Sequence, residues 1–144
     1  LSDIRDVQGW TPILIRSGWK RMKKRVLIVD DEGLIVDLVS GILEKAGYQV
    51  FKAYDGKSGH AMMEQNRPDL VIADVIMPEM SGIELLEMMK SSSTLRTIPV
   101  MLLTQKDEFD VVNRVFELGV DQFLPKPFDS RELLHSVETI LRSR

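Results

Sequence analysis

The chain contains no cysteine, which excludes a disulfide framework and every thiolate metal site. Histidine is nearly as scarce: His60 and His135 stand alone on separate segments of helical character and read as surface or boundary residues. Long apolar runs are also absent. The longest, VLIV and VMLL, are strand-sized and far short of the ~18 residues a membrane span needs. No basic segment leads into an apolar stretch of the kind that marks secretion, so a cytoplasmic location is expected. Aromatics make up only 6% of the chain, and both tryptophans, Trp10 and Trp19, fall near its start. What is present, 44% hydrophobic and 28% charged residues in a chain of 144, describes one globular domain with a substantial core.

Charge divides the chain unevenly. Residues 1–25 carry seven basic residues against two acidic ones, and the remainder carries twelve against twenty. Residues 1–23 therefore read as a basic leader or linker, an upstream remnant or an interaction arm, ahead of an acidic body over 24–144. An acidic body lacks the basic face that phosphate neutralisation requires, so no direct nucleic-acid binding is expected.

Within that body, short β-rich runs alternate with segments of helical period. The runs are VLIVD (26–30), QVFKA (49–53), LVIAD (70–74), VMLLT (100–104) and DQFLP (121–125). Leu34, Ile35, Leu38, Val39, Ile42 and Leu43 share one face of the first helix, which Gly47 ends. Ile83, Leu85, Leu86 and Met89 mark the third helix, and Val111, Val112, Val115 and Phe116 the fourth. Asp129 or Ser130 caps the fifth. Five βα repeats are too few for a closed barrel and predict a doubly wound, five-stranded parallel sheet with helices on both faces. Right-handed crossovers then bring the C-terminal end of every strand to one edge.

The residues at those ends are Asp30 and Asp31, then Asp74, Thr104 and Lys126. Three carboxylates crowded together raise one another's pKa values unless a cation joins them. Oxygen donors without His or Cys select a hard ion, Mg²⁺ or Mn²⁺, which shares its coordination with phosphoryl groups. Asp74, alone at the end of the central strand, is the candidate nucleophile for an aspartyl-phosphate, with Lys126 and Thr104 placed to receive phosphoryl oxygens. Glu32 is expected only to begin the first helix.

VLIVDDE, LVIADVIMPEMSGIELL, PVMLLT and FLPKPF occur here in an order and spacing that resemble the response-regulator receiver domain of two-component signalling, over about Lys24 to Ser143. The resemblance implies a flavodoxin-like (βα)5 fold and a phosphorylation-dependent switch. It implies Asp74 as phosphoacceptor and a metal held by Asp30, Asp31, Asp74 and the backbone carbonyl of Ile76. Thr104 and Phe123 would be the switch pair, and Lys126-Pro127 a cis peptide. The implied partners are a histidine kinase or histidine phosphotransfer protein and an unknown output protein. The chain is then a monomer or a weak dimer through the fourth helix, fifth strand and fifth helix. It is not an enzyme beyond its own phosphorylation and dephosphorylation.

Four positions bear on how far that pattern carries over. Gln105 follows Thr104 where a small residue is usual, and narrows donor access. Ile76 and Lys106 occupy the positions that tune hydrolysis, and an apolar Ile76 cannot orient water, so slow self-dephosphorylation is expected. Ser136 replaces an arginine of the DNA-binding branch's dimer salt bridges. Two rival readings are a pseudo-receiver that binds partners without phosphate control and a Mg²⁺-dependent aspartyl-phosphate phosphohydrolase. The latter places its nucleophile after the first strand in a DxDx motif, where this chain has DDE.

Overall fold

A computed structural model describes residues 23–105 and 109–143. Residues 1–22 of the leader and Lys106 lie outside the described residues. The elements alternate strictly: β1 (Arg25–Val29), α1 (Gly33–Lys45), β2 (Gln49–Ala53), α2 (Gly56–Asn66), β3 (Leu70–Asp74), α3 (Gly82–Lys90), β4 (Val100–Thr104), α4 (Phe109–Leu118), β5 (Gln122–Pro125) and α5 (Ser130–Arg142). All five strands are parallel, in the order β2-β1-β3-β4-β5. The doubly wound fold expected from the alternation is the observed one.

Burial explains the strand sequences. β3 and β4 are buried at every residue and read as unbroken apolar runs, because helices cover both faces of the sheet. The edge strands are only partly covered, so QVFKA and QFLP carry polar residues. Alternate side chains enter two cores. Val26, Ile28, Ile72 and Leu103 meet Val36 and Leu43 of α1 and Leu133 and Val137 of α5 on one face. Leu27, Val29, Ala73 and Leu102 meet Met63 of α2, Leu86 and Met89 of α3 and Val115 of α4 on the other.

Local signals set the helix ends. Ser81 accepts from the Glu84 amide while the Ser81 amide donates to the Glu84 carboxylate, and Asp129 with Glu132 repeats this box at α5. Such boxes satisfy amides that a helix start otherwise leaves without partners. Gly47, at φ +99°, turns the chain out of α1 through the left-handed region that glycine tolerates.

Two predicted helix faces need correction. On α1 the buried residues are Val36, Val39, Ser40 and Leu43, while Leu34 and Leu38 are 85% and 48% exposed. Two apolar stripes overlap in GLIVDLVSGIL. The short link from Val29 fixes the helix rotation so that the stripe through Val36 and Leu43 meets the sheet. On α4, Val115 is buried but Phe116 is 61% exposed; the side chains of Val111 and Val112 lie outside the described set.

Candidate functional site

The strand order reverses between β1 and β3, which opens a crevice at their C-terminal ends. Val29 pairs in register with Ala73, so Asp30 and Asp74 leave neighbouring strands side by side. Asp74 pairs with Leu103, which puts Thr104 one residue further along the same edge. Lys126 follows β5, and its backbone amide donates to the Thr104 carbonyl at 2.7 Å. The Lys126-Pro127 peptide is cis, as the resemblance implies.

From β5 the Lys126 side chain crosses β4 to the crevice. Its Nζ lies 3.1 Å from Asp74 Oδ1, 3.2 Å from Asp30 Oδ2 and 3.0 Å from Glu32 Oε1. Asp30 and Asp74 are buried and Asp31 is exposed, and carboxylate oxygens of all three come within 4.8 Å of one another. The donors are all oxygen, held at the end of a packed sheet, and three acids contact the one ammonium with Asp31 beside two of them. That excess of negative charge and that donor set fit one hard divalent cation.

The electrostatics follow from burial. Loss of water pushes the Asp30 carboxyl above its ordinary value, although the Glu32 amide, which donates to Asp30 Oδ1 at 2.9 Å, and Lys126 oppose the shift. Burial alone would depress the Lys126 ammonium. The bond to Glu32 and the charges of Asp74 and Asp30 outweigh it and hold Lys126 above the usual lysine value.

Beyond Asp74 the chain turns through a short loop into α3. The Val75 amide donates to Leu103 and the Gly82 amide returns to the Val75 carbonyl at 2.8 Å. A Cβ at Gly82 would collide with the Asp74 carbonyl. Only glycine lets this loop close against the central acid, a constraint hidden in MPEMSG. Met77 is buried and Ile76 is 60% exposed, so the loop presents an apolar side chain to solvent next to the site.

Phe123 pairs with Leu102, and Pro125 with Thr104, so Phe123 and Thr104 share a face of the sheet, one diagonal step apart. The Phe123 ring is partly buried and meets Phe116 of α4 edge to face, with centroids 5.2 Å apart. Phe116, one of the apolar residues that mark the fourth helix in the sequence, is thus the surface neighbour of the Phe123 ring. Gln105 is exposed and lines a cleft of about 280 Å³ with Glu32, Ile35, Leu38, Lys126 and Phe128. Ser136 is buried and accepts from Gln122 Nε2 at 3.0 Å. His60, on α2, pairs with Glu64 four residues on.

Glu32 requires a correction. It occupies the N-cap position of α1 but makes no side-chain capping bond; its carboxylate turns instead to Lys126. The partner is 94 residues away, beyond the reach of any local pattern.

The chain matches the response regulator receiver domain family over residues 26–138. It is 41% identical over 122 residues to the alkaline phosphatase synthesis transcriptional regulatory protein PhoP of Bacillus subtilis, covering 84% of this chain and 50% of that protein. To the DNA-binding dual master transcriptional regulator RpaA of Synechocystis it is 39% identical, over 82% of this chain and 49% of that protein. The chain therefore spans about half the length of the curated relatives it matches. Among solved structures, the chemotaxis response regulator CheY4 of Vibrio cholerae superimposes with a TM-score of 0.78 at 32% identity, over 83% of this chain and all of that one. The signal receiver domain of a histidine kinase from Syntrophus aciditrophicus does so with a TM-score of 0.77 at 38% identity, over 83% and 91%. The chain belongs to the response regulator receiver domains of two-component signalling. Among the described residues, no helix is long and apolar enough to cross a membrane.

Proposed function

We propose that the chain is a phosphorylation-dependent signalling switch that accepts a phosphoryl group on Asp74 from a phosphohistidine of a histidine kinase or phosphotransfer protein. The observation that carries this reading is the seating of Asp74 at the crevice, 3.1 Å from Lys126 and within a set of carboxylates fit for a divalent ion. In the proposed transfer an Asp74 carboxylate oxygen attacks phosphorus in line. Its O–P bond forms as the P–N bond to the histidine breaks, and the imidazole leaves and takes a proton from solvent. Lys126 pairs with one transferring oxygen and the Thr104 hydroxyl donates to another. Asp30, Asp31, Asp74 and the Ile76 carbonyl would hold Mg²⁺ or Mn²⁺, which when bound neutralises charge on the phosphoryl oxygens.

Movement of Thr104 toward the phosphoryl group would free space along its face of the sheet for Phe123. The α4–β5–α5 surface, with Phe116 exposed against that ring, then changes shape and controls a partner protein. The acidic body over 24–144 acts through that protein contact rather than on nucleic acid directly. The chain performs only its own phosphorylation and dephosphorylation. Ile76 offers no group to orient water, so the phosphorylated form decays slowly.

Incubation with Mg²⁺ and acetyl phosphate followed by intact mass measurement tests the reading. One added phosphoryl group that is lost in Asp74→Asn is the expected result. No uptake while a partner still binds would instead support a pseudo-receiver, and turnover of many equivalents of a phosphate ester would support a hydrolase.

A further inference from the structure

An ammonium has three N–H donors, and those of Lys126 are taken by Asp30, Asp74 and Glu32 at 3.2, 3.1 and 3.0 Å. A phosphoryl oxygen on Asp74 gains Lys126 only if one acceptor lets go. Asp30 is fully buried and fixed by the Glu32 amide, and Asp74 is the group being phosphorylated. Glu32 differs from both. Its side chain is 57% exposed, so water can solvate it once released, and it contributes no capping bond that would hold it in place. It also lines the cleft that opens beside Lys126.

We propose that Glu32 is a latch on Lys126: a positioning residue that holds the ammonium before phosphorylation and that the incoming phosphoryl oxygen displaces. This inference rests on Asp74 being the phosphoacceptor. The phosphoryl group passes from the donor's oxygen to Asp74, with the new O–P bond replacing the old one and acetate leaving when acetyl phosphate is the donor. Glu32 takes no part in the bonds that change. It sets how readily Lys126 is available to pair with the transferred group.

The test compares the full chain with Glu32→Gln and Glu32→Asp in Mg²⁺ and subsaturating acetyl phosphate, reading phosphorylation rate by intact mass. Glutamine keeps the length and removes the charge. Aspartate keeps the charge but is shorter by one C–C bond, about 1.5 Å, which breaks the contact with Lys126. Both variants are expected to be phosphorylated about threefold to fivefold faster than wild type, the range an exposed ion pair supports. Acceleration in Glu32→Gln alone, with Glu32→Asp at the wild-type rate, would reduce the effect to charge repulsion of the donor and overturn the latch. Equal rates in all three proteins, with unchanged circular dichroism, would overturn it as well while leaving Asp74 as the acceptor. No phosphorylation of wild type would remove the proposed function and the latch together.

Discussion

Replacing Lys126 by methionine removes the ammonium while leaving an apolar stem of similar length to pack beside Pro127. At 3.1 to 3.2 Å from the two buried carboxylates and an effective dielectric of ~20, each pair is worth about 5 kcal/mol before desolvation is subtracted. The desolvation of Lys126 and of the acids cancels much of that sum. Breaking a buried pair from one side still costs about 3–5 kcal/mol, because the partner stays buried and uncompensated. Glu32, being 57% exposed, adds little and simply returns to water. The expected loss in metal-free Lys126→Met at neutral pH is therefore about 3 kcal/mol, or a melting temperature lowered by roughly 10 °C for a domain of this size. Urea unfolding with and without Mg²⁺ measures it. Because the acids then have only the metal to neutralise them, saturating Mg²⁺ should stabilise the variant more than it stabilises wild type. A metal-free variant within about 0.5 kcal/mol of wild type would refute the claim that Lys126 is the counter-charge of this site.

Three further outcomes are expected. Burial raises the Asp30 pKa above its ordinary 3.8, so its contribution to stability is complete below that value and is lost as pH rises through the raised one. Asp30→Asn should therefore stabilise the metal-free protein near neutrality and leave it unchanged below about pH 4, as read by denaturant midpoints across pH. Asp31 is exposed, so Asp31→Asn should change stability by less than about 0.5 kcal/mol. It should nevertheless weaken Mg²⁺ binding by about tenfold or more in a calorimetric titration. Gly82→Ala drives a methyl group into the Asp74 carbonyl; it should cost about 1–3 kcal/mol by thermal unfolding and slow phosphorylation by shifting the loop.

The fold is legible in the sequence because parallel strands covered on both faces leave unbroken apolar runs, and VLIV, LVIA and VMLL, each cut off by a polar residue, fit little else. The site is legible for a topological reason: once the strands are parallel, Asp30, Asp74, Thr104 and Lys126 must reach one edge however far apart they lie in sequence. Helix rotation is not legible. GLIVDLVSGIL offers two apolar stripes, and only docking onto the sheet selects Val36 over Leu34. Phe116 is ambiguous for a related reason, since an aromatic next to Val115 fits either the core or a ring on the neighbouring strand. The role of Glu32 is hidden because its partner comes from the far end of the chain, and a glutamate at the start of a helix is unremarkable by itself. Gly82 carries a faint signal in Ser81-Gly82 opening α3, but its reason is the close approach of the Asp74 carbonyl, which exists only in three dimensions.

The central claim is that Asp74 carries the phosphoryl group. An acyl phosphate is reduced by borohydride to an alcohol, which converts a phosphorylated aspartate to homoserine and marks it permanently for peptide mass spectrometry. After treatment with acetyl phosphate and Mg²⁺, the account predicts homoserine at position 74 and at no other aspartate. Homoserine at Asp30 or Asp31 instead, or none while the protein still gains phosphoryl mass, would contradict it.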